Sequence, residues 1–439
     1  MAMGTFRLVV REHERIPIVV ARMNDERALL PQEVAAMLRA CRATDNAPFT
    51  VGHQSVKFNQ QCGVIQAKSV CVEILPKVAE DDSFDRGLLL HMLACAAGFK
   101  IDCLGASKLR LQEHTTLQVL VQWFCTELSA QCHAGMLREY VSCSEELPTI
   151  RGRWRPDLDF RRGHRDPAKL SCEFDELVAD NRYNRALKAA LHSARALAAG
   201  SAPLIRQVDL LLGWFVDVAD CHVSAADAAI LPRNRLVARY ERALRMAEWF
   251  LARRAPDLSQ GEASGFAMLF DMNRLFQACL GRLLHRCLPQ GLRLQEEGPR
   301  YHLSLDHAGE RRFQMKPDFC IVAEGKVVAI IDAKWKRLTP DASNGTWGVQ
   351  QADMYQLHAY ATAYECPKVA LWYPAYRHTE NRAQRPIFQF LTAGTTPANA
   401  EVAIDWIDLF QALPGPNWAH AMIDDLASCL GRMGIDAMV

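Results

Sequence analysis

The sequence predicts a mixed α/β chain of the α+β kind. A strand-containing N-terminal domain covers residues 1–150, a basic linker and helical section covers 151–262, and a C-terminal domain covers 263–439 around an α-β-β-α-β core. Three observations support this. The 439 residues amount to about three typical domains. The apolar period changes from two to 3.6 and back along the chain. The stretch RGRWRPDLDFRRGHRD at 151–166, with six arginines and Pro156, is too polar and too broken for a core element. With 50% apolar and 23% charged residues the chain is neither disordered nor fibrous.

The short β-rich runs come first: Phe6–Val10, Ile16–Val20, Val64–Ala67 and Val70–Leu75, the last two parted by Lys68 and Ser69. From Phe84 the spacing turns helical through Leu88, Leu89, Met92, Leu93 and Ala96, with a stop at Gly98. A second helical run passes through Leu117, Leu120, Val121, Trp123 and Leu128. Beyond the basic stretch, helical patterns cover 176–199, 205–215 and 234–254, and a further one runs from Gly265 to Cys287. Phe319–Ala323 and Val327–Ile331 are strands around Glu324-Gly325-Lys326. A helix from about Val349 to Tyr364 and the strand Val369–Tyr373, ended by Pro374, complete the core.

Charge and cysteines narrow the setting. Lys and Arg (51) nearly cancel Asp and Glu (50), so attraction to a polyanion must come from local patches. The 15 cysteines include no C-x-x-C pair and lie mostly singly within apolar runs, as reduced core cysteines do. No apolar leader and no uncharged apolar stretch of about 20 residues is visible, which predicts a cytoplasmic protein without a membrane span.

The chemistry concentrates in the hairpin. If Glu324-Gly325-Lys326 is a three-residue loop, Ala323 pairs with Val327 and counting outward sets Asp318 opposite Asp332. Two opposed carboxylates about 5 Å apart repel unless something positive sits between them. Oxygen ligands of this kind suit a hard divalent cation, Mg²⁺ or in its place Mn²⁺. Strand period two puts Lys334 on the face of Asp332. Asp318 and Asp332 are thus two expected metal ligands and Lys334 the expected catalytic cation, a set suited to phosphodiester hydrolysis, and Ala333 between them is named as a further metal contact. The bland alternative is a group of solvated strand-end residues, but the two apolar strands, the loop register and the following helix agree with the functional reading. On that helix Gln356 and Tyr360 share a face at i and i+4, with Asp353 one turn earlier, placed to orient Lys334 and the phosphate.

These residues resemble the PD-(D/E)XK nucleases and, within them, the McrC family of McrBC-type modification-dependent restriction systems. The resemblance is spread over roughly residues 60–375. It takes in Gly63-Val64-Ile65, Glu73-Ile74-Leu75-Pro76-Lys77, Ile150-Arg151-Gly152, the segment with Asp175, Glu176, Asp180, Asn181, Asn184, Leu187 and Lys188, then Phe270–Phe276, and finally the P-D, D-x-K and Q-x-x-x-Y residues. Gln277 stands where the family usually has Glu, which implies a metal site of two carboxylates. The resemblance implies an endonuclease subunit cutting double-stranded DNA that carries modified cytosine, such as 5-methylcytosine. It also implies an AAA+ GTPase partner of the McrB type, whose GTP hydrolysis the subunit stimulates, with the N-terminal 150 residues as the docking part. Consistently, the sequence has no G-x-x-x-x-G-K-[ST] of its own.

Arg151, Arg153, Arg155, Arg161, Arg162 and Arg165 with Trp154 are candidate phosphate contacts, and a solvated basic loop is the competing reading. Two other functions compete with the nuclease subunit: a non-catalytic regulator of the GTPase, and a stand-alone repair nuclease of the same superfamily.

Overall fold

The computed structural model describes residues 6–23, 26–41, 47–67, 69–98, 115–161, 168–198, 201–235, 237–252, 265–299, 301–338, 345–376, 385–392, 396–410 and 417–435. The chain forms two compact units, one of residues 1–116 together with 267–439, the other of residues 117–266. Among the described residues no helix is long and apolar enough to cross a membrane.

The N-terminal stretch contains β1 (Phe6–Arg11), β2 (Arg15–Pro17), α1 (Pro31–Ala40), β3 (Phe49–Val51), β4 (Ser55–Phe58), β5 (Gln61–Gln66), β6 (Val70–Leu75) and α2 (Asp82–Ala97). β6 is buried along its whole length: it lies between parallel β1 and antiparallel β5, and α2 packs against it. Burial of both faces accounts for its nearly continuous apolar run, in which the one charged residue, Glu73, is paired with Arg86. α2 starts where the Asp81 side chain accepts from the Phe84 N–H at 2.7 Å, and ends at Gly98 in the left-handed region.

The unit of residues 117–266 contains most of α3 (Thr116–His133), then β7 (Glu139–Leu147), β8 (Arg153–Trp154), α4 (Pro156–Arg161), β9 (Leu170–Val178), α5 (Arg182–Leu197), α6 (Ala202–Leu212), α7 (Ala225–Ala229) and α8 (Glu241–Leu251). It is not purely helical. β7, β9 and β8 form a three-stranded sheet, so Asp175 and Glu176 lie on a strand and the expected helix begins only at Arg182. Asn181 sets that start, its side chain accepting from the N–H groups of Tyr183 and Asn184. Part of the basic stretch is ordered as well, in β8 and α4.

The chain then returns with β10 (Phe266–Asp271), α9 (Met272–Cys287), β11 (Leu292–Glu296), β12 (His302–Leu305), β13 (Arg311–Gln314), β14 (Phe319–Ala323), β15 (Lys326–Ala333), α10 (Gln351–Ala363), β16 (Lys368–Pro374), β17 (Ile387–Thr392), β18 (Thr396–Ile407) and α11 (Trp418–Arg432). The helix expected from Gly265 is a strand up to Asp271, whose side chain then caps α9 by accepting from the Arg274 N–H. β10 joins the N-terminal sheet in the order β1-β6-β5-β10, and Ala267 and Leu269 enter its core beside Val70 and Val72. This shared sheet is why residues 1–116 belong with 267–439, and why the cut expected at 150 falls inside the other unit. Gly63 makes the join possible: at φ 141° a Cβ there would sit 2.0 Å from the Met268 carbonyl oxygen.

A six-stranded sheet, β11-β14-β15-β16-β18-β17, carries the hairpin. β11, β14 and β15 are antiparallel, β15, β16 and β18 are parallel, and β17 is an antiparallel edge. The expected order α-β-β-α-β is present as α9, β14, β15, α10 and β16, with the unexpected strand β11 and the small β12–β13 hairpin inserted after α9. The turn is shorter than expected. Ala323 pairs with Lys326 across a two-residue Glu324-Gly325 turn, both residues having positive φ (49° and 81°), as a type I′ turn requires. A bulge then shifts the register between Ile321 and Val322, so that Phe319 pairs with Ile331. The two differences cancel, and continuing the pairing by one residue brings Asp318 opposite Asp332.

Candidate active site

Asp318 follows Pro317 at the mouth of the hairpin, and its Oδ2 accepts from the Ala333 N–H at 2.8 Å. Asp332, near the end of β15, is 1% exposed. Lys334 extends beyond the strand with Nζ 2.6 Å from Asp332 Oδ2, and the same ammonium donates to Gln356 Oε1 at 2.9 Å. The Gln356 amide donates to the Tyr360 hydroxyl at 2.7 Å and to Asp332 Oδ1 at 3.4 Å. Tyr360 in turn donates to the Lys316 carbonyl at 3.1 Å, two residues before Asp318. The five expected side chains therefore come together, and the Q-x-x-x-Y pair on α10 ties the cation to the loop that carries the first carboxylate.

The electrostatics of this pair are unfavourable on their own. Burial, then the neighbouring Asp332 charge, pushes the Asp318 carboxyl up to about 7, and Glu297 adds to the push. Burial also raises Asp332, against the pull of Lys334. Burial works against the Lys334 charge, but Asp332, Asp353 and Asp318 together hold its ammonium above the usual lysine range. Lys334 thus faces buried Asp332 and half-buried Asp318, with Lys336 also acting on Asp332. The all-oxygen donor set of Asp318 and Asp332 would fit a hard divalent cation. Among the described residues no three His, Cys, Asp or Glu side chains converge as a metal cluster. Gln277, at the position where the family usually has Glu, is half-buried on α9.

The pattern of a family described as "McrBC 5-methylcytosine restriction system component" matches residues 56–374. The chain belongs to the McrBC family. No curated protein matches. Among solved structures, the McrC-containing half-complex from a tetradecameric assembly of Thermococcus gammatolerans McrB AAA+ hexamers with bound McrC is similar in fold. Its TM-score is 0.62 at 17% identity, covering 96% of this chain and 100% of that one. A structure of the Thermococcus gammatolerans McrBC complex matches at TM-score 0.48 and 22% identity, over 64% of this chain and 87% of that one.

Most of the other McrBC-like segments hold structure. Glu73 is buried and receives Arg86 at 2.6 and 2.9 Å and the Thr116 hydroxyl at 2.6 Å. Asp180 pairs with Arg185 at 2.7 Å through both oxygens, Asn184 donates to the Leu137 and Ala179 carbonyls, and Lys188 donates to Val218. Asn273, after the Asp271 cap, accepts from Gln60. The arginine patch is largely engaged: Arg151 pairs with Glu176, and Arg155 with Asp157 and Glu173. Arg153 is exposed on β8 and Arg161 ends α4, while Arg162 and Arg165 lie outside the described residues.

Lys336, Trp335, Glu12 and Gln60 also bear on the site, and the reading of the sequence does not name them. Lys336 pairs with Asp353 at 3.0 Å, and Asp353 is also reached by the Tyr373 hydroxyl at 3.4 Å. The Trp335 indole donates to buried Glu12 at 2.9 and 3.1 Å, and Gln60 donates to the Trp335 carbonyl at 2.7 Å. Alternation along D-A-K-W-K was enough to flag Lys336, whereas the link to Glu12 is purely tertiary.

Proposed function

We propose that the chain is the Mg²⁺-dependent endonuclease subunit of a modification-dependent restriction complex, with a PD-(D/E)XK centre. In this reading it cuts double-stranded DNA carrying modified cytosine, works with an AAA+ GTPase of the McrB type and stimulates that partner's GTP hydrolysis. The observation that supports it most is the convergence of Asp318, Asp332 and Lys334 at one hairpin mouth, backed by Gln356 and Tyr360. A cation held by the two aspartates would supply Lewis-acid stabilisation of the phosphate and a more acidic water. The chain's own residues do the rest. Lys334, kept charged by its carboxylate neighbours, offsets the negative charge that grows on the phosphate oxygens. Gln356 fixes the ammonium's position, and Tyr360 locks the Lys316–Asp318 backbone so that the first carboxylate keeps its place. In the similar Thermococcus gammatolerans assembly McrC is bound to McrB AAA+ hexamers, which favours the same kind of partner here.

The test is cleavage of methylated and unmethylated plasmids with Mg²⁺, with and without the partner GTPase and GTP. Cutting is expected only of modified DNA and only in the full mixture. Efficient cutting by the chain alone would favour a stand-alone nuclease. GTPase stimulation without any cutting would favour a non-catalytic regulator, a role for which an intact Asp318-Asp332-Lys334 set has no use.

A further inference from the structure

A basic recess opens beside the carboxylate pair, within the same unit. Trp335–Leu338, immediately after Lys334, form one wall. The turn after β1 with Glu12 and His13, Lys77 after β6, and Tyr376 after β16 contribute the others, around a cavity of about 360 Å³. That is within the range of small-ligand sites, roughly 300–1,000 Å³. Four of its lining residues are basic: His13, Lys77, Lys336 and Arg337. The one acid, Glu12, is 2% exposed, and its oxygens already accept from the Trp335 indole and the Lys77 N–H. Arg337 is held over the Tyr376 ring at 5.5 Å, and His13 is kept at φ 64°, a conformation non-glycine residues hold only when their surroundings impose it. Lys336 donates to Gln350 and Asp353, at the start of α10. The same helix carries Gln356 and Tyr360, so recess and carboxylate pair share a wall.

We propose that this recess seats a backbone phosphate of the DNA strand adjoining the bond cut at Asp318 and Asp332, with Lys77 and Arg337 as its principal cations. The proposal rests on the nuclease reading of that centre. Backbone contacts fix the register of a duplex on a protein, and a chain of net charge +1 must provide them locally. Arg337 also meets one acid, Glu80, at the longer distance of 3.6 Å, whereas Arg151 is held by Glu176 at 3.2 Å and Arg155 by Asp157 and Glu173 at 2.8 and 2.6 Å. Lys77 and Arg337 are exposed enough to be changed without opening a core.

The test is fluorescence anisotropy of a labelled duplex titrated with the full-length chain at low salt, without divalent cation, and repeated over a salt series. K77Q/R337Q should bind about tenfold more weakly, and its log–log salt slope should fall by roughly two, about one per lost phosphate contact. K77R/R337K should restore both. D332N should bind at least as tightly as the unaltered chain while failing to cut with the partner present. Unaltered affinity and slope in K77Q/R337Q would overturn the phosphate seat even if cleavage is intact. Normal cutting by D332N would instead overturn the nuclease centre, and the seat with it. Displacement of the duplex by micromolar GTP, lost in K77Q/R337Q, would assign the recess to a free nucleotide and also overturn the proposal.

Discussion

A carboxyl whose proton affinity is raised by burial and by a neighbouring carboxylate has a thermodynamic signature. The unfolded chain releases the Asp318 proton near the ordinary value of 3.8, while the folded chain keeps it to about 7. Over that interval the folded state binds more protons, so stability falls as pH rises and stays lowered above pH 7. D318N should therefore melt several degrees above the unaltered chain at pH 8 without divalent cation, and the gap should close near pH 4. Adding millimolar Mg²⁺ should raise the melting temperature of the unaltered chain but not of D318N or D332N, both of which should lose cleavage. K334A should also lose cleavage yet keep the Mg²⁺-dependent rise, which separates a cation acting on the phosphate from a ligand of the metal. Glu12 provides an independent case of the same sign: burial, the largest influence, pushes it up to about 7 despite its hydrogen bonds. Its Oε1 accepts from both the Trp335 indole and the Lys77 N–H, so a glutamine keeps both bonds. E12Q should gain on the order of 3 kcal/mol at pH 8 and nothing at pH 4. Denaturant melts at the two pH values check this.

At the scale of single elements, the β14–β15 hairpin depends on its turn and its bulge together. Glu324 carries a left-handed penalty that asparagine would reduce, so E324N should stabilise by about 0.5–1 kcal/mol and G325A should destabilise by about 1 kcal/mol, read as shifts of the denaturant midpoint. Gly63 is less forgiving, because the atom its Cβ would strike belongs to backbone. G63A should part β5 from β10 and lower stability by several kcal/mol. The β-branched runs made β6, β14, β15 and β16 legible in the sequence, and residue type with spacing identified Asp318, Asp332, Lys334, Gln356 and Tyr360. The turn length was not legible, since a bulge leaves the apolar pattern of both strands unchanged. The β10 strand was hidden because F-A-M-L-F reads equally well as helix or strand. The β7–β9 pair was missed because β7 is mostly exposed and polar, with Glu139, Glu145 and Glu146, and β9 carries Glu173, Asp175 and Glu176 among its apolar residues. The Lys336–Asp353 and Glu12–Trp335 contacts join segments apart in the chain, and no local period records them.

For the whole molecule, the discontinuous unit overrides the division suggested by composition. Residues 1–150 alone lack β10 and so leave the N-terminal sheet and its core incomplete. Circular dichroism and denaturant titration should find that fragment without a cooperative transition, whereas residues 117–266, with a compact unit of their own, should unfold cooperatively. Cooperative unfolding of 1–150 would restore the boundary at 150. The same discontinuity governs the order of events during synthesis. On a ribosome adding roughly 5–20 residues per second, β1, β5 and β6 wait about 10–50 seconds for β10 to emerge. Through that interval an apolar sheet lacks its last strand, and the open edge of β5 is available for wrong pairing. The aspartates follow later still, and the strands β17 and β18, from Ile387 to Ile407, come almost at the end. A chain that stops before Thr396 therefore lacks β18, and β16 of the sheet that carries Asp318 and Asp332 is left without its outer partner.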